Sequence, residues 1–316
     1  GDLFNAGDTQ GARELVEPTI DTMRPGVLRA IALNLAAAIC FYDNRFTDAE
    51  RLLKAAVDEA GDAPPVLAST LIWLTFTQGH ASFADGSSES GLFDESLQHA
   101  RRAVSIAEQL GNDATLSEAL SMWVAASFEY GHGVDDASLE RALQIEDTDS
   151  DVALPACASA VHALILAFTG RLDLACERLQ SVRRRFADRG AERNLMAVAA
   201  YSALFEMWRG DLAEARRLAE EAVERSEQLG GHHVGLIPRT VRAAVAAHLG
   251  DDELARSEAQ WVLDAAEECG APRMAEWPLM TLGFLDVSGP DLTEVGRHGD
   301  VRRALIDALL DVANPG

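Results

Sequence analysis

The sequence predicts an all-α protein, a right-handed α-solenoid (superhelix) of paired antiparallel helices. Three observations lead there. Glycines recur at positions 170, 190, 210, 230, 250 and 270. The intervals between them are rich in Ala, Leu, Glu and Arg, long enough for about four helical turns plus a loop. Glycine accepts the left-handed backbone that ends a helix, so evenly spaced glycines read as a row of helix stops. Two helices per repeat, stacked in series, make a solenoid.

Within each hairpin, the turn from the first helix (A) to the second (B) carries Gly or Asn, with a small residue five positions later. The pairs are Gly7 and Ala12, Asn44 and Ala49, Gly91 and Ser96, Gly170 and Ala175, Gly210 and Ala215, Gly250 and Ala255. A small side chain lets helix B lie close on helix A, where a larger one costs about 1–3 kcal/mol. Phe46, Phe93, Leu172 and Leu212 follow their turns by two residues and staple them to the core.

The A helices (residues 31–41, 67–76, 157–168 and 195–207) are apolar almost all round, as an inner layer would be. The B helices are one-sided. Leu212, Ala215, Ala219, Ala222, Val223 and Leu229 keep helical spacing, while Glu214, Arg217, Glu220, Glu221 and Glu224 point elsewhere. Asp48, Asp173, Asp211 and Glu214 sit where the helix dipole favours negative charge.

Two stretches break the rhythm. Residues 80–93 read as an exposed, mobile excursion between helices, and residues 129–151 as a short B helix followed by a polar loop. The expected organisation is therefore a helical array over residues 1–288. An irregular segment follows over residues 289–316, with one amphipathic helix near 301–312 to cap the stack.

A net charge of −24 argues against a nucleic-acid grip by these residues, because phosphate contacts need surplus Lys and Arg. Cys40, Cys157, Cys176 and Cys269 are scattered among apolar neighbours, without a CxxC pair, and read as small hydrophobes. No signal peptide and no membrane-length apolar run stands out, so a cytoplasmic location is expected. The chain opens on Gly1 instead of Met and reads as a piece of a longer protein.

Chemical motifs are weak. Asp147, Asp149 and Asp151 space like the start of a calcium loop, but Val152 stands where glycine is needed and Ala158 where the closing Glu belongs. His232 and His233 lack partners at ligand spacing and read as surface residues. Gly131-His132-Gly133 lacks a third glycine and a strand. No phosphate loop, nucleophile elbow or zinc-protease helix is present, so neither enzyme activity, metal nor cofactor is expected here.

The aromatic residues form the most promising constellation. Trp73, Phe76, Trp123, Phe128, Tyr130, Tyr201, Phe205 and Trp208 all fall on A helices, which line the concave side of a right-handed stack. Most aromatics at helical spacing are core. The functional reading joins Trp rings to Glu129, Tyr130, His162, Tyr201 and Glu206 as a ligand groove.

The run GVDDASLERALQIED, then TGRLDLACERLQSVRRRFADRG and RGDLAEARRLAEEAVERSEQLGG, resembles the tetratricopeptide-like sensor region of LuxR-type large ATP-binding transcriptional regulators, the MalT-like group. HLGDDELARSEAQWVLDAAEECGAPRMAEWPLMTLGFLDVS resembles the last repeats of that group. The resemblance implies an ATPase module before Gly1, a DNA-binding module after Gly316, and an array that receives a small-molecule inducer or a protein partner. DNA contact would come only through that outside module. A scaffold without a small ligand and a homodimerisation module are the competing readings.

Overall fold

The computed structural model describes residues 9–61, 63–85, 90–150, 152–230 and 233–288. Among the described residues there is no strand, and fourteen α-helices follow one another. They are α1 (Thr9–Thr22), α2 (Val27–Tyr42), α3 (Phe46–Ala60), α4 (Pro64–Asp85), α5 (Ser90–Leu110), α6 (Asp113–Glu129) and α7 (Asp136–Gln144). Then come α8 (Ala158–Phe168), α9 (Leu172–Arg189), α10 (Glu192–Arg209), α11 (Leu212–Leu229), α12 (Leu236–Leu249), α13 (Asp252–Glu268) and α14 (Glu276–Ser288). Short 3-10 turns span Leu154–Ala156 and Pro272–Ala275. Gly7 and the expected capping helix lie outside the described residues.

Each even-numbered helix from α2 to α12 pairs with the odd-numbered helix after it, and each odd one packs on the next even one. The result is an α-solenoid of helical hairpins. The small residue after each turn is the point of closest approach: Ala49, Ser96, Ala175, Ala215 and Ala255 are fully buried, and Ala12 is 4% exposed. At the α10–α11 turn, Gly210 takes φ 93° and the Asp211 amide donates to the Glu206 carbonyl at 2.9 Å. Asn44 makes the equivalent turn with φ 56°, and is the one non-glycine described residue in this conformation.

Of the excursion expected over residues 80–93, residues 80–85 and 90–93 are helical instead, and residues 86–89 lie outside the described residues. Helix α4 continues through Asp85 and α5 has begun by Ser90, so Gly91 lies in a first helical turn and stops nothing. Packing explains the continuation, since Ala81 is buried against Phe46 and Ala271.

The second break is real and is built by capping. Asp135 accepts from the Ser138 amide (3.1 Å) and hydroxyl (2.8 Å), and so starts α7. Glu146 accepts from the Ser159 amide at 3.2 Å and the Cys157 thiol at 3.0 Å, at the start of α8. Burial opposes ionisation of Glu146, but the hydrogen bonds from Ser159 and Cys157 outweigh it and hold the carboxyl below its ordinary range. Between these caps the chain dips to the concave side. Val152, Leu154 and Ala156 are buried, and the 3-10 turn packs on α6, α8 and α10. Asn194 clamps this strap at two points: its amide nitrogen donates to the Val152 carbonyl (3.0 Å), and its oxygen accepts from the Leu154 amide (3.0 Å).

The array curls until its beginning meets its end. Asn44 donates to the His233 carbonyl at 2.7 Å across 189 residues of sequence. The His233 ring lies 3.8 Å from Asp43, which also accepts from Arg13 at 2.9 Å. Phe46 and Ala81 pack on Ala271 and Met274 beside this seam. His233 is thus 8% exposed and not the surface histidine the sequence suggested, because closure of the solenoid covers its loop. No helix among the described residues is long and apolar enough to cross a membrane.

Two substitutions test this architecture. Ala215→Leu overpacks a fully buried crossing and lowers unfolding free energy by about 1–3 kcal/mol in denaturant titration. Asn44→Gly keeps the left-handed turn but deletes the shorter of the two hydrogen bonds that reach His233 across the seam. It should raise the radius of gyration in small-angle scattering and speed amide exchange around residues 233–236.

Candidate functional site

Closure encloses a hollow lined mainly by the even-numbered helices, and the strap divides it. On one side of the strap is a cavity of about 550 Å³. Its walls include Tyr42 of α2, Ser69 and Trp73 of α4, Glu118 of α6, and Arg189, Arg193 and Asn194 at the α9–α10 corner, with Val152, Ala153 and Ala156 of the strap as floor. On the other side is an apolar cleft of about 90 Å³, bounded by Phe41, Phe46, Phe76, His80, Tyr201 and strap residues Leu154 and Pro155. Tyr42 and Asn194 belong to both.

Sequence packs the rings of the smaller cleft together. Phe76 and His80 are one turn apart on α4 with centroids 4.3 Å apart, and Phe41 lies 4.9 Å from Phe76. Burial lowers the His80 pKa, so its ring is held neutral, with Nδ1 3.0 Å from the Phe76 carbonyl. Burial raises Tyr201 to about 12, helped by the negative charge of Glu129.

The charged residues of the larger cavity differ in how they are satisfied. Arg189 donates to the Ser150 carbonyl at 2.9 Å, and to the Thr148 carbonyl. Arg193 lies over the Tyr42 ring at 5.2 Å, and desolvation lowers its pKa. Glu118 is half-buried, and no hydrogen bond or ion pair engages it among the described residues. Burial pushes its carboxyl up to about 7.

Three of the sequence-derived groove residues line the hollow: Trp73 in the larger cavity, Phe76 and Tyr201 in the cleft. Glu129 is near them, close enough to influence Tyr201, with Oε2 facing Gly79 of α4. Desolvation raises the Glu129 pKa.

The remaining six are dispersed. Trp123 donates from its indole to Asp135 at 2.9 Å, under Arg101, and joins the α6–α7 hairpin. Tyr130 donates to Ser96 at 3.1 Å. Burial lowers the His162 pKa, and its charged neighbours are Arg178 of α9 and Arg171, just before that helix. Phe205 is fully buried. Glu206 pairs with Arg209 at 2.5 Å in a crevice near Cys176. Trp208 is 38% exposed, 5.6 Å from Phe168, and lines neither cavity.

Tyr42, Glu118, Arg193, Asn194 and the strap were not singled out from sequence. Glu118 left a legible trace, as a lone carboxylate in the apolar run LSEALSMW. Asn194 left none, since its partners are backbone groups about forty residues away.

The raised Glu118 pKa has a stability consequence. Below about pH 4.5 the group is protonated both folded and unfolded, and above about pH 7 it is charged in both. Between these values the folded chain binds the extra proton, so its stability falls as pH rises through the window. Glu118→Gln should therefore raise Tm at pH 8 and leave it unchanged at pH 4, measured by calorimetry.

Residues 203–232, covering the end of α10 and all of α11, match the tetratricopeptide repeat family model. A search of curated proteins finds no match. The crystal structure of the P58(IPK) TPR domain is similar at 11% identity, with 100% of this chain and 97% of that chain covered. Its TM-score of 0.24 is too low for any inference from superposition. The chain thus contains a tetratricopeptide-like repeat within an array of helical hairpins.

Proposed function

We propose that this chain is a non-catalytic binding module that takes a ligand into its concave hollow. The observation that carries this reading is the cavity of about 550 Å³, lined by two aromatic rings, two carboxyls, two guanidiniums and an amide. These groups recognise and orient, and no nucleophile–base pair stands among the lining residues described.

The finer reading is the sensory and coupling region of a LuxR-type, MalT-like regulator. Its support is the sequence resemblance together with a hollow whose two sides are tied by the seam. A ligand that binds the closed array more tightly than the open one shifts the population toward closure. The neighbouring ATPase and DNA-binding modules would then read the change in curvature.

One observation favours a second reading, a scaffold for proteins. Phe168 (54% exposed) and Trp208 (38%) form an exposed aromatic pair 5.6 Å apart that is not part of the lining of either cavity. A contiguous exposed apolar patch marks a contact site more often than a scattered residue does.

Ser69 separates the two readings, because it is exposed and faces the larger cavity. Ser69→Trp should fill the hollow without disturbing the core. Ligands found by thermal-shift screening should stabilise the natural chain by mass action and lose that effect in the variant. Hits unaffected by Ser69→Trp but abolished by Trp208→Ala would move the site to the Phe168–Trp208 pair.

A further inference from the structure

The chemistry of the hollow's occupant follows from how this protein treats its other carboxyls. Several shielded acidic groups elsewhere are answered by arginine. Glu258 meets Arg242 at 2.5 Å and Arg239 at 3.1 Å. Glu221 meets Arg183 at 2.6 Å and Arg225 at 3.0 Å. Glu59 meets Arg29 at 2.5 Å. Glu118 shares their partial burial and has no such answer, yet it faces the largest of the cavities described.

The same cavity presents rings suited to a cation. Arg193 already lies over Tyr42, and Trp73 lines the same cavity beside it. A positive group between an aromatic face and a partly desolvated carboxylate gains from both, and more than it would in open water. The other cationic side chain at the cavity, Arg189, is directed to the strap carbonyls and to Asp149, so it leaves Glu118 unneutralised. The chain's net charge of −24 adds a field that draws cations and repels anions.

We infer that the larger cavity binds an organic amine, its ammonium group at Glu118 and its apolar body against Trp73 and Tyr42. The inference rests on the hollow being the binding site and adds the ligand's charge and shape. Anionic and neutral molecules of the same size lack the contact with Glu118.

Matched probes test this on the full chain. Tryptamine, tryptophol and indole-acetate share a body and differ in being cationic, neutral and anionic. Isothermal titration at pH 8 should find tryptamine bound about ten-fold or more tightly than tryptophol, the margin expected of a charge-assisted hydrogen bond. Indole-acetate should bind least. Glu118→Gln should bring tryptamine down to the tryptophol level while leaving tryptophol unchanged. Ser69→Trp should abolish all binding.

Equal affinity for tryptamine and tryptophol overturns the amine assignment, as does tryptamine binding that ignores Glu118→Gln. In either case, sensitivity to Ser69→Trp keeps the hollow as the site. No tryptamine binding also overturns the assignment, and the screen against Ser69→Trp then decides the fate of the hollow separately.

Discussion

Two antiparallel helices can approach closely only where a side chain at their crossing is small. In this chain that condition is met by alanine or serine at each described hairpin from Ala49 to Ala255, apart from α6–α7, whose caps set its geometry. Close crossings fix the angle within a hairpin, and repetition of that angle bends the array. Bending brings Asn44 to His233, and the seam turns an open groove into an enclosed hollow. Fold and site thus follow from the same small contact, multiplied along the chain.

The fold was legible because its signals are local. Gly210 and Ala215 sit five residues apart, and the apolar face of α11 repeats within a few turns. Closure was not legible, because nothing near His233 in sequence announces that Asn44 lies against it. The same limit applies to the site. Trp73, Phe76 and Tyr201 could be placed on inner helices by periodicity. Trp123, with equal periodicity, turns instead toward Asp135 in its own hairpin. A helical wheel gives a face but not which neighbour covers it. The interruption after α7 was visible, whereas its inward direction depends on the two backbone bonds of Asn194.

Electrostatics divides the surface from the interior. Along α11, Glu214, Arg217 and Glu221 form a chain of contacts, with Arg217 2.6 Å from Glu214 and 3.3 Å from Glu221. Such exposed pairs contribute little stability each. Glu146 and Glu118 present the informative contrast. Both are carboxyls partly withdrawn from water. One is held ionised by donors that start α8, and the other is pushed toward neutrality for want of any. The first is a fastening, and the second is left available for chemistry brought from outside.

A solenoid with free ends can flex by degrees, each hairpin yielding slightly. The Asn44–His233 contact removes that freedom and makes the array behave like a split washer whose gap has been pinned. Distortion introduced at any hairpin then cannot dissipate along the coil. It is shared with the joint where Asp43, Asn44 and Phe46 meet His233 and Ala271.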